Sequence, residues 1–208
     1  MSDYFDSLAA RTPARLQIGR AGSRDKTQKY LDFRAAHAAA NDAVMTEVSS
    51  ETLEKLGLFE VRTKCKNKYD MITRPDWGRH FDDSQKEILR KNATIGADVQ
   101  IYCGDGLSAP AIGANCRDML PLLKMALEDG GISVEKPFFV RYCRVNTARE
   151  IGPLLNAKVV CVLIGERPGL ITDESMSAYL AYKPHPDMSE SDYTVVSNIS
   201  KIGMPPVE

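Results

Sequence analysis

Short apolar runs alternate with segments of helical periodicity through the second half of the chain. Four runs predict strands, at 98–103, 137–142, 158–164 and 179–182. Apolar residues at helical spacing predict helices between them, at 108–116, 119–127 and 147–155. Apolar strands separated by helices favour right-handed crossovers and a sheet that is covered on both faces. We therefore expect an open, mainly parallel, Rossmann-like α/β sheet with helices on both faces over residues 95–200.

The first half of the chain predicts an irregular, arginine-containing arm at 12–24 followed by a helical region. Periodicity predicts helices at 27–48, 50–57 and 83–92. Strand or extended segments are predicted at 58–61 and 69–73, and an irregular turn at 74–79. We divide the chain into an N-terminal arm and helical region, 1–94, and an α/β domain, 95–208. One continuous domain is the alternative.

Charge and apolar run length give no support for a nucleic-acid or membrane partner. The chain has 27 Lys and Arg against 28 Asp and Glu, so its net charge is −1. That balance provides no overall field to recruit nucleic acid or an anionic membrane. The longest apolar runs are far shorter than the roughly 20 residues of a membrane span. We expect neither a nucleic-acid partner nor a membrane segment.

The reactive side chains form no recognisable catalytic or metal-binding frame. Five cysteines lack a CxxC pair, which favours a reducing cytoplasm over a disulfide or zinc framework. Cys103 and Cys161 lie in apolar strand candidates, so we expect them to be buried packing residues. The three histidines match no metal-ligand motif, and the sequence has no nucleophile elbow. We predict no metal ligand and no catalytic residue on this chain.

A glycine-rich turn follows the strand candidate at 98–103. Residues 104–109, GDGLSA, fit the loose dinucleotide pattern G-x-G-x-x-A between a strand and a helix. However, Asp105 brings a negative charge into the loop that would receive phosphates. The next strand ends in Arg141 and Arg144 instead of an acid that could hold a ribose. These features favour a tight strand-to-helix turn over a dinucleotide site.

A second polar turn, 165–170, follows the most apolar strand of the chain. Its sequence GERPGL places a charged pair, a proline and two glycines where ligands bind in open α/β sheets. Two interpretations remain open at this point. Either the turn binds a ligand, or Glu166 and Arg167 pair with each other in solvent.

Seven sequence blocks, taken together, resemble one known family. They are TPARLQIGRAG at 12–22, FRAAHAAANDAV at 33–44, TRPDWGR at 73–79, DVQIYCGDGLSA at 98–109, FFVRYCRV at 138–145, VLIGERPGL at 162–170 and VSNI at 196–199. In this order they are similar to the light chain (small subunit) of ethanolamine ammonia-lyase. The resemblance extends from about Thr12 to the end of the sequence.

The resemblance implies an adenosylcobalamin-dependent lyase that converts ethanolamine to acetaldehyde and ammonia by a radical mechanism. In this family a large subunit, a TIM barrel, holds the substrate and most catalytic groups. The small subunit closes over the cobalamin at the interface, and the enzyme is an oligomer of heterodimers. Since the radical chemistry belongs to the cofactor, the implied role of this chain is to position and protect it.

The resemblance also implies three cofactor-binding residues. The valine that ends FFVRYCRV is Val145, and the glutamate of GERPGL is Glu166. The third family position, often a cysteine, is Val195 here, so we expect the thiol contact to be lost and a backbone or packing contact to remain. A D-x-H-x-x-G motif is absent around the three histidines. We therefore expect base-on adenosylcobalamin with no protein ligand to cobalt.

Two alternatives of other classes remain open. One is a stand-alone Rossmann-type nucleotide-binding enzyme that uses the 104–109 turn. The other is a purely structural partner protein without a ligand. For the lyase subunit we expect a cytoplasmic location, with a bacterial microcompartment as the specialised option. The arm at 12–24 is the candidate contact with the large subunit, and a solvated, flexible arm is its alternative.

Overall fold

The computed structural model describes residues 2–208. Its strands are β1 (Arg20–Ala21), β2 (Arg24–Asp25), β3 (Phe59–Arg62), β4 (Val99–Gly104), β5 (Phe138–Arg141), β6 (Val159–Gly165), β7 (Met176–Tyr182) and β8 (Tyr193–Ile199). Its helices are α1 (Ser2–Ala9), α2 (Thr27–Met45), α3 (Ser50–Leu56), α4 (Lys68–Thr73), α5 (Asp83–Asn92), α6 (Ala109–Asp129) and α7 (Ala148–Leu155).

Six of these strands form one mixed sheet in the spatial order β3-β5-β4-β6-β7-β8. The first four strands in that order are parallel, whereas β7 and β8 are antiparallel to their neighbours. Strands β1 and β2 form a separate two-stranded ribbon. The predicted α/β class is confirmed, but a Rossmann-like arrangement is not. The antiparallel strand β8 was not predicted, because only its two end residues are buried and it lacks a continuous apolar run.

The sheet separates two apolar cores, as the alternation of side chains along β6 shows. Val160, Val162 and Ile164 pack into one core. Cys161 and Leu163 pack into the other. Helices α5 and α7 contribute to the first core, and α3 and α6 contribute to the second. A strand buried on both faces explains the uninterrupted apolar run that predicted it.

The predicted extended segment at 69–73 is wrong, because these residues lie in helix α4. The Asn67 side chain accepts a hydrogen bond from the backbone N–H of Asp70 at 2.9 Å. The Asp70 carboxylate in turn accepts the backbone N–H of Lys66 at 3.0 Å. These bonds satisfy backbone donors at the start of the helix. Capping and the complete burial of Met71 outweigh the strand propensity of the segment.

The two helices predicted on either side of residue 118 form one helix, α6. The Ser108 side chain caps its N-terminus. Arg117 is exposed, while Cys116 and Leu120 continue one buried stripe four residues apart. The apolar face therefore continues through the charged residues.

The sheet begins earlier in the chain than residue 95. Strand β3, from the predicted N-terminal region, pairs in parallel with β5. The division at residues 94 and 95 stays a prediction, and Met1 of its first part lies outside the described residues. Within residues 2–208, no helix has both the length and the apolar character needed to cross a membrane.

Replacing Cys161 with alanine should lower the free energy of unfolding by about 1–2 kcal/mol through lost packing. Cys161 is 5% exposed, and burial raises the pKa of its thiol to about 12. Urea denaturation of the two proteins measures the difference. A change within about 0.5 kcal/mol, as at an ordinary surface site, would contradict the packing role.

Candidate functional site

A cavity of about 380 Å³ opens at the edge of the sheet where β5 and β6 end. Since β7 runs antiparallel to β6, and β8 antiparallel to β7, β7 begins and β8 ends at this same edge. Val145 and Glu166 line the cavity. Its other lining residues are Met71, Gly106, Leu107, Cys143, Arg144, Ile164, Gly165, Arg167, Ser177, Tyr179 and Ser197. The geometry thus brings two of the three predicted site residues into one wall.

Val145 is placed by a tight turn after β5. Tyr142 has a left-handed φ of 58°, and its hydroxyl donates a hydrogen bond to the Glu47 carboxylate at 2.6 Å. The backbone N–H of Cys143 donates to the Asp105 carboxylate at 2.9 Å. Burial, followed by the hydrogen bond to Glu47, raises the pKa of Tyr142, so its hydroxyl stays protonated. These bonds anchor the turn from which Val145 reaches the cavity.

The Glu166 carboxylate connects three elements at the edge of the sheet. Its Oε2 accepts the Ser175 hydroxyl at 2.7 Å. Its Oε1 accepts the Ser177 hydroxyl and, at 2.8 Å, the backbone N–H of Asn198. Among the described residues, Glu166 makes no ion pair with Arg167. The surface-pair interpretation is therefore wrong, and Glu166 is held in place by strands β7 and β8.

Val195 lies on the edge strand β8, outside the cavity wall. It is opposite Tyr179 in the β7–β8 register, and Tyr179 lines the cavity. The Val195 side chain is 43% exposed. The three predicted residues therefore lie on one region of the surface, with Val195 one strand away from the cavity.

A buried ion pair supports the loop that forms part of the cavity. Lys68 Nζ lies 2.9 Å from Asp105 Oδ2, and the two side chains are 3% and 0% exposed. The same ammonium donates to the carbonyl of Gly106 at 3.1 Å. Lys68 and Asp105 form an ion pair without a hydrogen bond, because Asp105 Oδ2 accepts no hydrogen bond from the described residues. Asp105 thus faces inward, and its charge is balanced by Lys68.

The glycines of the 104–109 turn make room for protein, which favours the tight-turn interpretation. A Cβ at Gly104 would collide with Cys143, and a Cβ at Gly106 would collide with the carbonyl of Gly165. The backbone N–H of Leu107 donates to that carbonyl at 3.1 Å. In a dinucleotide site, the corresponding glycines leave space for a pyrophosphate. Here the neighbouring strand end fills the space.

Gly106→Ala is expected to lower the free energy of unfolding by at least about 2 kcal/mol. A left-handed backbone costs a residue with a Cβ about 1–2 kcal/mol, and overpacking adds about 1–3 kcal/mol. Gly57→Ala is the matched control, because Gly57 is also left-handed (φ 66°) and nothing lies within 4 Å of its added Cβ. Equal losses in the two variants, measured by urea denaturation, would show that the collision with Gly165 is absent.

Arg144 brings positive charge to the cavity wall. Its Nη2 donates to the carbonyl of Met71 at 2.6 Å, while its Nε is buried without a hydrogen-bond partner among the described residues. Burial, and then the like charge of Arg79, lower the pKa of the Arg144 guanidinium. The wall thus combines a fixed carboxylate, a partly unpaired guanidinium, serine hydroxyls and the apolar surface of Val145.

Comparison with known proteins agrees with the resemblance found in the residues. Residues 2–208 match the family model described as ethanolamine ammonia-lyase light chain. The chain belongs to the ethanolamine ammonia-lyase light chain family. The chain is 50% identical over 197 residues to the ethanolamine ammonia-lyase small subunit of Listeria monocytogenes serovar 1/2a, covering 95% of this chain and 67% of that protein. The small subunit of Clostridium tetani is 53% identical over 209 residues, covering 100% of this chain and 70% of that protein.

A third relative with the same name, from Clostridium perfringens, is 48% identical over 206 residues, covering 99% of this chain and 70% of that protein. The chain thus spans about two thirds of the length of these relatives. Membership in the light chain family establishes a subunit of a lyase, and the name small subunit implies a large-subunit partner.

Sequence reasoning missed the hydrogen-bond donors to Glu166. Ser177 lies at the start of β7 and Ser175 immediately precedes it, whereas this strand was predicted to begin only at residue 179. Asn198 has a left-handed φ of 61° beside an irregularity in the β7–β8 register. The alternation of serines with apolar residues in S-M-S-A was the available signal for an earlier strand start.

Proposed function

We propose that this chain is the cofactor-clasping small subunit of a two-chain ethanolamine ammonia-lyase. With the large subunit it binds adenosylcobalamin, and the complex converts ethanolamine to acetaldehyde and ammonia. The single observation that carries this proposal is the shared wall of Val145 and Glu166 at the carboxyl edge of the sheet. Val195 lies on the neighbouring strand β8, where it pairs with Tyr179 of the cavity wall.

The lining of the cavity fits a corrinoid, which has an apolar ring rimmed by amide groups. Val145 and Tyr179 supply apolar surface, whereas the serine hydroxyls and Glu166 supply polar contacts. A carboxylate has about four acceptor sites, and Glu166 uses three of them within the protein. One acceptor site is therefore free for an amide or hydroxyl of a ligand. The Arg144 guanidinium adds a positive charge to the same wall.

Each proposed contact has a distinct physical role. Val145 packs against the ligand from an anchored turn, and Val195 adds apolar contact in place of a thiol. Glu166 accepts a hydrogen bond in a fixed direction, because three bonds already orient its carboxylate. When bound, adenosylcobalamin, in its base-on form, supplies radical chemistry through its cobalt–carbon bond. The residues of this chain position the cofactor and exclude water from one side of it.

The partner in this proposal is the large subunit, a TIM barrel that holds ethanolamine and most catalytic groups, in an oligomer of heterodimers. The arm at 12–24 is the proposed contact with the large subunit. It lies near the site, because the Arg15 guanidinium donates a hydrogen bond to the carbonyl of Leu170 at 2.8 Å. This bond brings the arm beside the turn that contains Glu166. A cytoplasmic location, or packaging in a microcompartment, belongs to the same proposal.

Reconstitution with the large subunit tests the proposed reaction. The two purified subunits, mixed with adenosylcobalamin and ethanolamine, should form acetaldehyde and ammonia in equal amounts. Omitting either subunit should abolish turnover. Cys161→Ala is a suitable control, because Cys161 packs in the core on one face of the sheet. This variant should leave turnover and cobalamin affinity nearly unchanged. Undiminished turnover by the large subunit alone would contradict the proposal.

A further inference from the structure

A second pocket of about 220 Å³, here called the arginine pocket, adjoins the cavity at the edge of the sheet. It is lined by Arg79, Arg144, Val145, Asn146, Tyr179, Glu190 and Tyr193. Three of these residues, Arg144, Val145 and Tyr179, also line the cavity that contains Glu166. One ligand can therefore contact both spaces.

The two arginines that line this pocket have no acidic partner, in contrast to Arg141. Arg141, on β5, forms a two-point ion pair with Glu60. By contrast, no carboxylate in the described part of the chain lies within 4.0 Å of the guanidinium groups of Arg79, Arg144 or Arg149. The Nε atoms of Arg144 and Arg149 are buried without a hydrogen-bond partner. A ligand cannot reach these two buried atoms, but the guanidinium charges of Arg79 and Arg144 on the pocket wall are uncompensated and favour an anionic ligand.

The acidic groups nearby do not cancel this charge. Glu190 is exposed, and one of its carboxylate oxygens accepts the Asn146 amide at 3.2 Å. Glu150, which lines the adjoining space with Arg79 and Arg149, is paired with Lys86 at 2.6 Å. Two guanidinium groups and one carboxylate leave the arginine pocket with a net positive charge. A singly charged anion is the ligand that this balance fits.

We propose that Arg79 and Arg144 bind the phosphodiester of the cobalamin nucleotide loop. The inference rests on the proposed function, because it assigns one more group of the same ligand to a neighbouring pocket. A guanidinium presents N–H donors in a planar fork that matches the oxygens of a phosphate. Arg144 links the two spaces, so the corrin side and the nucleotide side of one molecule would contact adjacent surfaces of this chain.

The test compares two corrinoids that differ in the nucleotide loop, which carries this phosphate together with the ribose and the dimethylbenzimidazole base. Cyanocobalamin contains the nucleotide loop, whereas dicyanocobinamide lacks it. The complex of this chain with the large subunit is titrated with each compound, and binding is followed by absorbance after equilibrium dialysis. Neither compound carries the adenosyl group, so the readout is affinity and not turnover.

Arg79→Met is the principal variant, because the Arg79 side chain is exposed and makes no side-chain hydrogen bond to the described residues. We expect it to raise the Kd for cyanocobalamin by about tenfold to a hundredfold. The Kd for cobinamide should change by less than about threefold. Arg144→Lys, which keeps the charge but loses the fork, should give an intermediate loss for cyanocobalamin and a smaller one for cobinamide, because Arg144 also lines the corrin cavity. Arg117→Met, on the exposed face of α6, should change neither Kd.

Each other outcome would overturn the inference. Equal weakening of both corrinoids would make Arg79 a structural residue. Weaker association with the large subunit would assign the pocket to a carboxylate of that partner. Binding of inorganic phosphate that Arg79→Met abolishes, with cobalamin affinity unchanged, would assign it to a free anion. If the wild-type complex binds neither corrinoid, the proposed function itself fails, and this result is distinct from a failure of Arg79 to discriminate.

Discussion

Lys68→Met is expected to lower the free energy of unfolding by about 3–5 kcal/mol. The substitution leaves Asp105, which is 0% exposed, as an uncompensated buried charge. It also removes the hydrogen bond from the ammonium to the Gly106 carbonyl at 3.1 Å. The loss comes mainly from the isolated carboxylate, because burying an unpaired charge costs more than a buried pair contributes.

A double variant separates this effect from simple loss of packing. Lys68→Met combined with Asp105→Asn removes both charges, and the Asn side chain can still accept the backbone N–H of Cys143. Urea denaturation should show that the double variant is more stable than Lys68→Met alone. Lys55→Met is the control, because Lys55 pairs with Glu51 on an exposed surface, where about 0.5 kcal/mol or less is expected. Similar losses for Lys55→Met and Lys68→Met would contradict the buried pair.

Glu166→Gln is expected to weaken cobalamin binding to the two-chain complex about tenfold to a hundredfold. A hydrogen bond to a carboxylate contributes about 1.5–3 kcal/mol, and the neutral amide weakens it. The amide oxygen has fewer acceptor sites than the carboxylate. It cannot serve Ser175, Ser177, Asn198 and a ligand together. The effect should therefore appear as a raised half-saturation concentration in a cofactor titration.

Glu128→Gln is the matched control for this prediction. Glu128 lies in the last turn of α6, where it pairs with Lys124 on an exposed surface. It should leave the half-saturation concentration unchanged. Association with the large subunit, measured by gel filtration, should be the same for both variants. An unchanged half-saturation concentration in Glu166→Gln would contradict the cofactor contact. Glu166 would then have only a structural role, as the acceptor of hydrogen bonds from the β7 and β8 region.

The central strands could be predicted from the sequence because burial on both faces leaves a continuous apolar run. This holds for β4 and β6, whose boundaries differ from the prediction by one residue at each end. Strand β8 could not be predicted in this way, because it is an edge strand with mostly exposed positions. Helix α4 was misassigned because its start depends on side-chain caps that periodicity does not reveal.

The candidate site was predictable only in part for a related reason. Glu166 stands out because it follows a buried strand, where a charged side chain reaches the edge of the sheet. Two of the partners that orient it, Ser175 and Ser177, follow within 11 residues, but Asn198 lies 32 residues further along the chain, and no local pattern links it to Glu166. The pairing of Lys68 with Asp105 likewise joins residues that are 37 positions apart. Contacts of this kind follow from the assembled sheet.

The most direct test of the account is equilibrium binding of adenosylcobalamin to three samples: this chain, the large subunit, and their complex. The cofactor-clasping role predicts saturable binding to the complex, with each separate chain at least about a hundredfold weaker. It also predicts that Glu166→Gln weakens binding to the complex without dissociating it. Equally tight binding by the large subunit alone, with no further gain on adding this chain, would contradict the account.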